Sequence, residues 1–244
     1  MRTLSLPNPD LVRQRIGSVN REDIRFCLMT CYLYAGRISE VVGIKYPSNH
    51  KTTARGPHGS DAVKDFYLTG SQRIPCVVFN VRTAKRKGKE RKVALPLNPN
   101  YEPWTKPLYE YFQSKGDDVV FPFPRQEVWM HSKAAFEGLI YPIDKYSVLA
   151  DATVVKTAIR YTKTGKPVVD VPDHNRSFRL HALRHLRATE LRERYQFDGF
   201  DLASYCGWRL GTIVPQISRT MERYLSLGWA SYFPKLLREH YGVK

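Results

Sequence analysis

Two arginines, a pair of histidines and a late tyrosine are the residues of this chain whose settings could do chemistry. Arg37 stands in Tyr34-Ala35-Gly36-Arg37-Ile38-Ser39-Glu40, directly after a glycine and three residues before a carboxylate. His181, Arg184 and His185 occupy positions i, i+3 and i+4, so a helix there presents them on one face. Tyr224 follows in Met221-Glu222-Arg223-Tyr224-Leu225. A guanidinium stays protonated and offers a planar fork that matches phosphate oxygens. Imidazole can exchange a proton near neutrality, and a phenol, with a reference pKa of about 10, is a latent nucleophile. The chemistry that suits such a set is that of a phosphate ester. Each feature is weak alone. An isolated HxxR is ordinarily a solvated helix face, Arg37 beside Glu40 reads equally as an ion pair, and Tyr224 is one of fifteen tyrosines. Their combination and order carry the weight.

The charge balance points the same way. Thirty-nine Lys and Arg face 23 Asp and Glu, a formal net charge of +16. Such a surface favours a polyanion, because each neutralised phosphate releases condensed counterions. The 244 residues suffice for one large domain or two small ones. Cys27, Cys31, Cys76 and Cys206 form no CxxC pair and no zinc-ligand spacing, which fits a reducing compartment. Met1 to Asp10 lacks the apolar stretch of a signal peptide, and no run approaches the roughly 18 apolar residues of a membrane span. The expectation is an intracellular, soluble protein with no membrane partner.

The elements that must position these residues are mostly helical. Asn20 to Ala35 has an apolar stripe through Ile24, Cys27, Leu28 and Cys31, with Asn20 as N-cap and Gly36 as a left-handed terminator. A second helix from Arg37 through Val41, Val42 and Ile44 then places Arg37 at a tight corner. Tyr46 to Asp61 reads as a loop. Strand signals fall at Phe66 to Leu68, Cys76 to Val81 and Val93 to Leu97. The last two flank a turn at Lys87 to Glu90, around which cluster Arg82, Lys85, Arg86, Lys87, Lys89, Arg91 and Lys92. A lysine-protected edge strand has this composition, as does a hairpin finger laid along a phosphate backbone, and the density of charge favours the finger. Helices are expected at Pro103 to Ser114, Glu127 to Ile140, Leu180 to Tyr195, Leu202 to Cys206 and Ser218 to Leu227. Asp144 to Asn175 is least legible, with Val154 to Tyr161 read as a helix.

In this combination the chain resembles the catalytic domain of the tyrosine site-specific recombinase and integrase family. Tyr34 to Ile44 is similar to the family's first arginine motif, and His181-Ala182-Leu183-Arg184-His185-Leu186-Arg187-Ala188-Thr189-Glu190-Leu191 to its second at every fixed position. The resemblance spans about Asn20 to Leu227. It implies an α+β, mainly helical fold with a small antiparallel sheet or β-hairpin in the N-terminal third. It also implies catalytic residues Arg37, Lys85, His181, Arg184, Trp208 and Tyr224, with Glu40 and His185 in support and Arg82, Arg86, Lys87, Lys89, Arg91 and Lys92 on DNA. Lys87 is the alternative to Lys85, and Tyr232 and Tyr241 are alternative nucleophiles. Tyr224 follows Trp208 by sixteen residues, a wider spacing than the family's.

The implied reaction is metal-independent cleavage and rejoining of double-stranded DNA through a 3′-phosphotyrosyl bond, without a cofactor. It would serve recombination, or integration of a viral genome or mobile element, by a tetramer on DNA. A prokaryotic cytoplasm or nucleoid, or the host cell of a virus, is the expected location. Type IB topoisomerase-like relaxation, telomere resolution and an inactive DNA-binding protein of the same fold are the alternatives. Residues 1–19 are read as an N-terminal remnant or linker, 20–227 as the catalytic domain, and 228–244 as a tail that packs on its own domain or docks on a neighbouring protomer.

Overall fold

Asn8 and Pro9 start the first helix, α1 (Pro9–Gly17). The Asn8 side chain accepts from the Asp10 backbone N–H at 2.9 Å, and Pro9 sits where its missing N–H costs nothing. Val12 and Ile16 go fully into the core, so residues 9–17 belong to the domain and are not a linker. The structure, a computed structural model, describes residues 7–42, 56–83, 90–142, 158–161, 167–170, 175–208 and 228–238.

Helix α2 (Glu22–Leu33) is buried on most of its circumference, as a helix apolar nearly all round must be. Its N-cap is Arg21 rather than Asn20; the Arg21 guanidinium binds Asp23 and Glu127. The Thr30 hydroxyl, fully buried, donates to the Phe26 carbonyl at 2.7 Å and so avoids an unpaired donor. All four cysteines are free and buried. The left-handed residue that turns the chain after α2 is Ala35, at φ +44°, and not Gly36. Helix α3 (Ile38–Val41) follows and is only four residues long; Ile44, expected in it, lies outside the described residues.

Strands β1 (Ala62–Thr69), β2 (Gln72–Arg82) and β3 (Glu90–Pro96) form an antiparallel sheet in that order, with Ala62 opposite Phe79 and Val78 opposite Ala94. The β2–β3 ladder continues to Arg82 and Glu90, the two ends of the expected basic turn. At the free edge of β3, the Tyr232 hydroxyl donates to the Lys92 carbonyl at 3.0 Å and accepts from the Ala94 N–H at 3.1 Å. Tyr232 lies between two 3-10 turns, Trp229–Ser231 and Phe233–Leu236, and with Phe233 and Leu236 it is buried. Residues 228–238 thus dock on the chain's own sheet and seal an edge that would otherwise be open.

Helices α4 (Thr105–Gln113) and α5 (Arg125–Ala135) come next. Strand β4 (Ile140–Pro142) pairs with a later strand, β7 (Asn175–Ser177), and β5 (Ala158–Tyr161) pairs with β6 (Pro167–Asp170). The helix expected over Val154 to Tyr161 is therefore overturned at residues 158–161, where cross-strand pairing of Ile159 with Val169 outweighs local helical periodicity. Helices α6 (Leu180–Glu193) and α7 (Gly199–Cys206) complete the fold; the helix expected over 218–227 lies outside the described residues. The class is α+β, with seven α-helices and this small three-stranded sheet among the described residues. No helix among them is long and apolar enough to cross a membrane.

A buried ionic network sets the position of α6. Arg13 on α1 binds Glu102 through both terminal nitrogens at 2.8 Å. Arg187 on α6 binds Glu190 at 2.5 Å and approaches Glu102 at 3.5 Å, while the Tyr32 hydroxyl on α2 donates to Glu190 at 2.7 Å. Burial raises the Glu190 carboxyl's pKa, but the Arg187 and Arg13 cations and the Tyr32 hydroxyl outweigh it and hold the group at about 2. A carboxylate depressed in the folded state stabilises the fold above its ordinary pKa of 4.5, and that contribution disappears as pH falls towards 2. Its size is on the order of 3 kcal/mol. In urea melts between pH 2 and 4.5, the dependence of stability on pH should decrease by about one proton in Glu190→Gln. An unchanged dependence would show that the network is not what holds α6.

Candidate functional site

Arg37, Glu40 and Arg184 meet at the corner between α2 and α3. Arg37 is the N-cap residue of α3, in an extended conformation, and its backbone N–H donates to Glu40 Oε2 at 3.1 Å. Its guanidinium returns to Glu40 Oε1 at 3.1 Å, with 31% of the side chain exposed. Arg184 is only 3% exposed. It donates to the Ala35 carbonyl at 2.7 Å and to the Cys206 carbonyl at 3.0 Å, and lies 3.9 Å from Glu40. The left-handed turn at Ala35 is what aims that carbonyl at Arg184, an uncommon conformation for a residue with a Cβ. One side chain therefore ties α6 both to the α2–α3 corner and to the C-terminus of α7.

A third arginine completes the corner, and it corrects an expectation. Arg91, read from the sequence as a DNA contact on an exposed finger, is 8% exposed. It donates to the carbonyls of Tyr34, at 2.9 Å, and Tyr205, and reaches Glu40 at 3.4 Å. The signal for this was present in β3: Arg91, Val93 and Leu95 alternate, so Arg91 shares their inward face. Gly207 makes room for it. At φ +66° Gly207 ends α7 in the left-handed conformation, and a Cβ there would come 2.7 Å from Arg91 Cδ.

Three guanidiniums thus share one carboxylate, and none has a second carboxylate within ion-pairing distance among the described residues. Burial raises the Glu40 pKa, but Arg91, the Arg37 N–H, Arg184 and Arg37 together bring it below the ordinary value. Burial likewise lowers the Arg184 pKa, and the neighbouring Arg91 and Arg37 cations lower it further against Cys206 and Glu40. A cation so placed gains from an additional anion. Arg37 is the exposed member of the three.

The histidines line the same face of α6. The His181 and His185 rings meet edge to face, 5.0 Å apart. Desolvation lowers the His185 pKa, and His181 and Arg184 lower it further. The half-buried Trp208 places its ring centroid 5.5 Å from the Arg184 guanidinium carbon, a cation–π contact that supports the arginine from α7's end. Arg82 is held by Asp61 at 3.2 Å and Glu90 at 3.3 Å, so it carries less free charge than the sequence suggested. Lys92 is exposed. Lys85, Arg86, Lys87, Lys89, Tyr224 and Tyr241 lie outside the described residues. Tyr232 is fully buried, with its hydroxyl engaged by β3 and burial raising its pKa, which removes it as an alternative nucleophile in this fold. No protein-family model, curated protein or solved structure matches the chain.

Glu40→Gln removes the one charge that balances this corner and leaves buried guanidiniums facing each other. The expected cost is about 3–5 kcal/mol in urea denaturation at pH 7. A change below about 1 kcal/mol would mean that the backbone carbonyls alone hold the arginines.

Proposed function

We propose that the chain is a tyrosine recombinase-like enzyme that cleaves and rejoins DNA strands without a metal. The observation that carries this reading is the corner just described, where Arg37 and Arg184, distant in sequence, converge on Glu40 with positive charge in excess. The likeness of the two arginine motifs to that family and the net charge of +16 support it further.

A phosphodiester repels nucleophiles, and negative charge grows on its non-bridging oxygens in the pentavalent transition state. Arg37 and Arg184 neutralise that charge with groups that stay protonated. The Tyr224 oxygen attacks phosphorus and loses its proton to His181. The bond from phosphorus to the 5′-oxygen breaks, and Lys85 protonates the leaving oxygen. The 3′-phosphotyrosyl linkage conserves the energy of the broken bond, so the free 5′-hydroxyl of the same or another strand can reverse the step. Recombination and integration follow when that strand belongs to a second site.

The test uses a duplex pool of randomised sequence carrying 5′-bridging phosphorothiolate linkages, whose sulfur leaves without protonation. In EDTA, an SDS-stable protein–DNA adduct is expected. It should vanish in Tyr224→Phe and fall about 10²–10³-fold in Arg184→Ala. Lys85→Ala should react normally on sulfur and slowly on the all-oxygen duplex. An adduct that survives Tyr224→Phe, or DNA binding with no adduct from the wild-type chain, would contradict the reading.

A further inference from the structure

A cleft of about 380 Å³ opens beside the arginine corner, lined by Ile38, Arg125, Trp129, Arg179 and His181 among others. Ile38 directly follows Arg37, and His181 lies one helical turn before Arg184, so the cleft begins where the candidate phosphate site ends. Trp129, on α5, is 41% exposed, unusual for so large an apolar ring. A smaller cleft of about 230 Å³ adjoins, sharing Trp129 and Arg179. Lys133 lines only this second cleft, and its ammonium sits 3.7 Å from the centre of the Trp129 ring. Trp129 is also a wall of the larger cleft.

The walls match one kind of occupant. Arg125 and Arg179 are exposed, both line the larger cleft, and they suit a sugar-phosphate chain. The volume falls in the range of roughly 300–1,000 Å³ typical of small-molecule sites. An aromatic wall together with arginines is the combination that holds unpaired bases: the ring stacks on any base, and the cations follow the backbone. The acid at this end of α5, Glu127, does not line the larger cleft and is engaged by Arg21.

We propose that this cleft takes one unstacked nucleotide of the substrate strand next to the scissile phosphate, with its base against Trp129 and its phosphate between Arg125 and Arg179. Naming the occupant rests on the reading of the chain as an enzyme acting on DNA. Holding that nucleotide out of the duplex fixes the neighbouring phosphate against Arg37 and leaves a single-stranded end free to pair elsewhere.

The experiment titrates the whole chain with the single-stranded hexanucleotide dT6 and follows tryptophan fluorescence. Trp129 is one of four tryptophans, so a change lost in Trp129→Ala identifies the ring that moves. The wild type should be quenched, Trp129→Ala should bind about 5- to 100-fold more weakly with most of the quench gone, and Trp129→Phe should stay within about threefold of the wild type. Equal affinity of wild type and Trp129→Ala would overturn the proposal, as would equal losses in the alanine and phenylalanine variants. Because dT6 binding needs no strand cleavage, this result stands apart from the adduct assay. Failure here with adducts intact rejects the cleft alone, and failure of the adducts with stacking intact rejects the enzymatic reading.

Discussion

Everything at the arginine corner depends on an ionised carboxylate buried among cations. Glu40 is 1% exposed in its side chain and touches guanidiniums from the α2–α3 turn, from β3 and from α6. No single element could hold three arginines together, since each would repel the others. The shared anion lowers that repulsion, and the carbonyls of Tyr34, Ala35, Tyr205 and Cys206 accept hydrogen bonds from Arg91 and Arg184. The balance is incomplete by design of the composition: one negative charge cannot neutralise three positive ones. That deficit is what the proposed function assigns to a phosphate, and Arg37 is the most exposed of the three arginines.

The rest of the fold serves this corner by fixing α6. A helix carrying His181, Arg184 and His185 must not rotate, and hydrophobic packing alone specifies rotation loosely. The Arg13, Glu102, Arg187, Glu190 and Tyr32 network supplies directional constraints on the next turns of the helix, at Arg187 and Glu190. Buried ion pairs of this kind contribute little net stability, but breaking one is costly, so they discriminate strongly between correct and displaced arrangements. On the other side of the corner, Tyr232 fastens the C-terminal turns to β3, and so stabilises the strand that delivers Arg91.

Local signals made much of this legible before any coordinates. The apolar stripe of α2, the three strands and the i, i+3, i+4 set on α6 all came from periodicity, because burial there follows one simple face. Arg91 departs from the expected finger because its alternation with Val93 and Leu95 turns it inward, which the charge density of the hairpin masks. Helix α1 was missed although Asn8-Pro9 is an N-cap followed by a proline at the first helical position, a start signal in its own right. The β5–β6 pair was read as a helix because its stability comes from a partner strand that no single-segment pattern contains. The buried network was not visible for the same reason: Arg13, Glu102 and Arg187 are far apart in sequence, and only the packing of α1 against α6 brings them together.

The central claim is that the paired arginines act by neutralising charge on the non-bridging phosphate oxygens. A duplex in which the scissile phosphate is replaced by a neutral methylphosphonate tests it most directly. If the claim holds, Arg37→Ala and Arg184→Ala, impaired on the ordinary diester, should form the Tyr224 adduct on the neutral substrate at a rate close to that of the wild type. Adduct formation by the wild type with no rescue of either variant would contradict it, and would assign the arginines to holding the fold together.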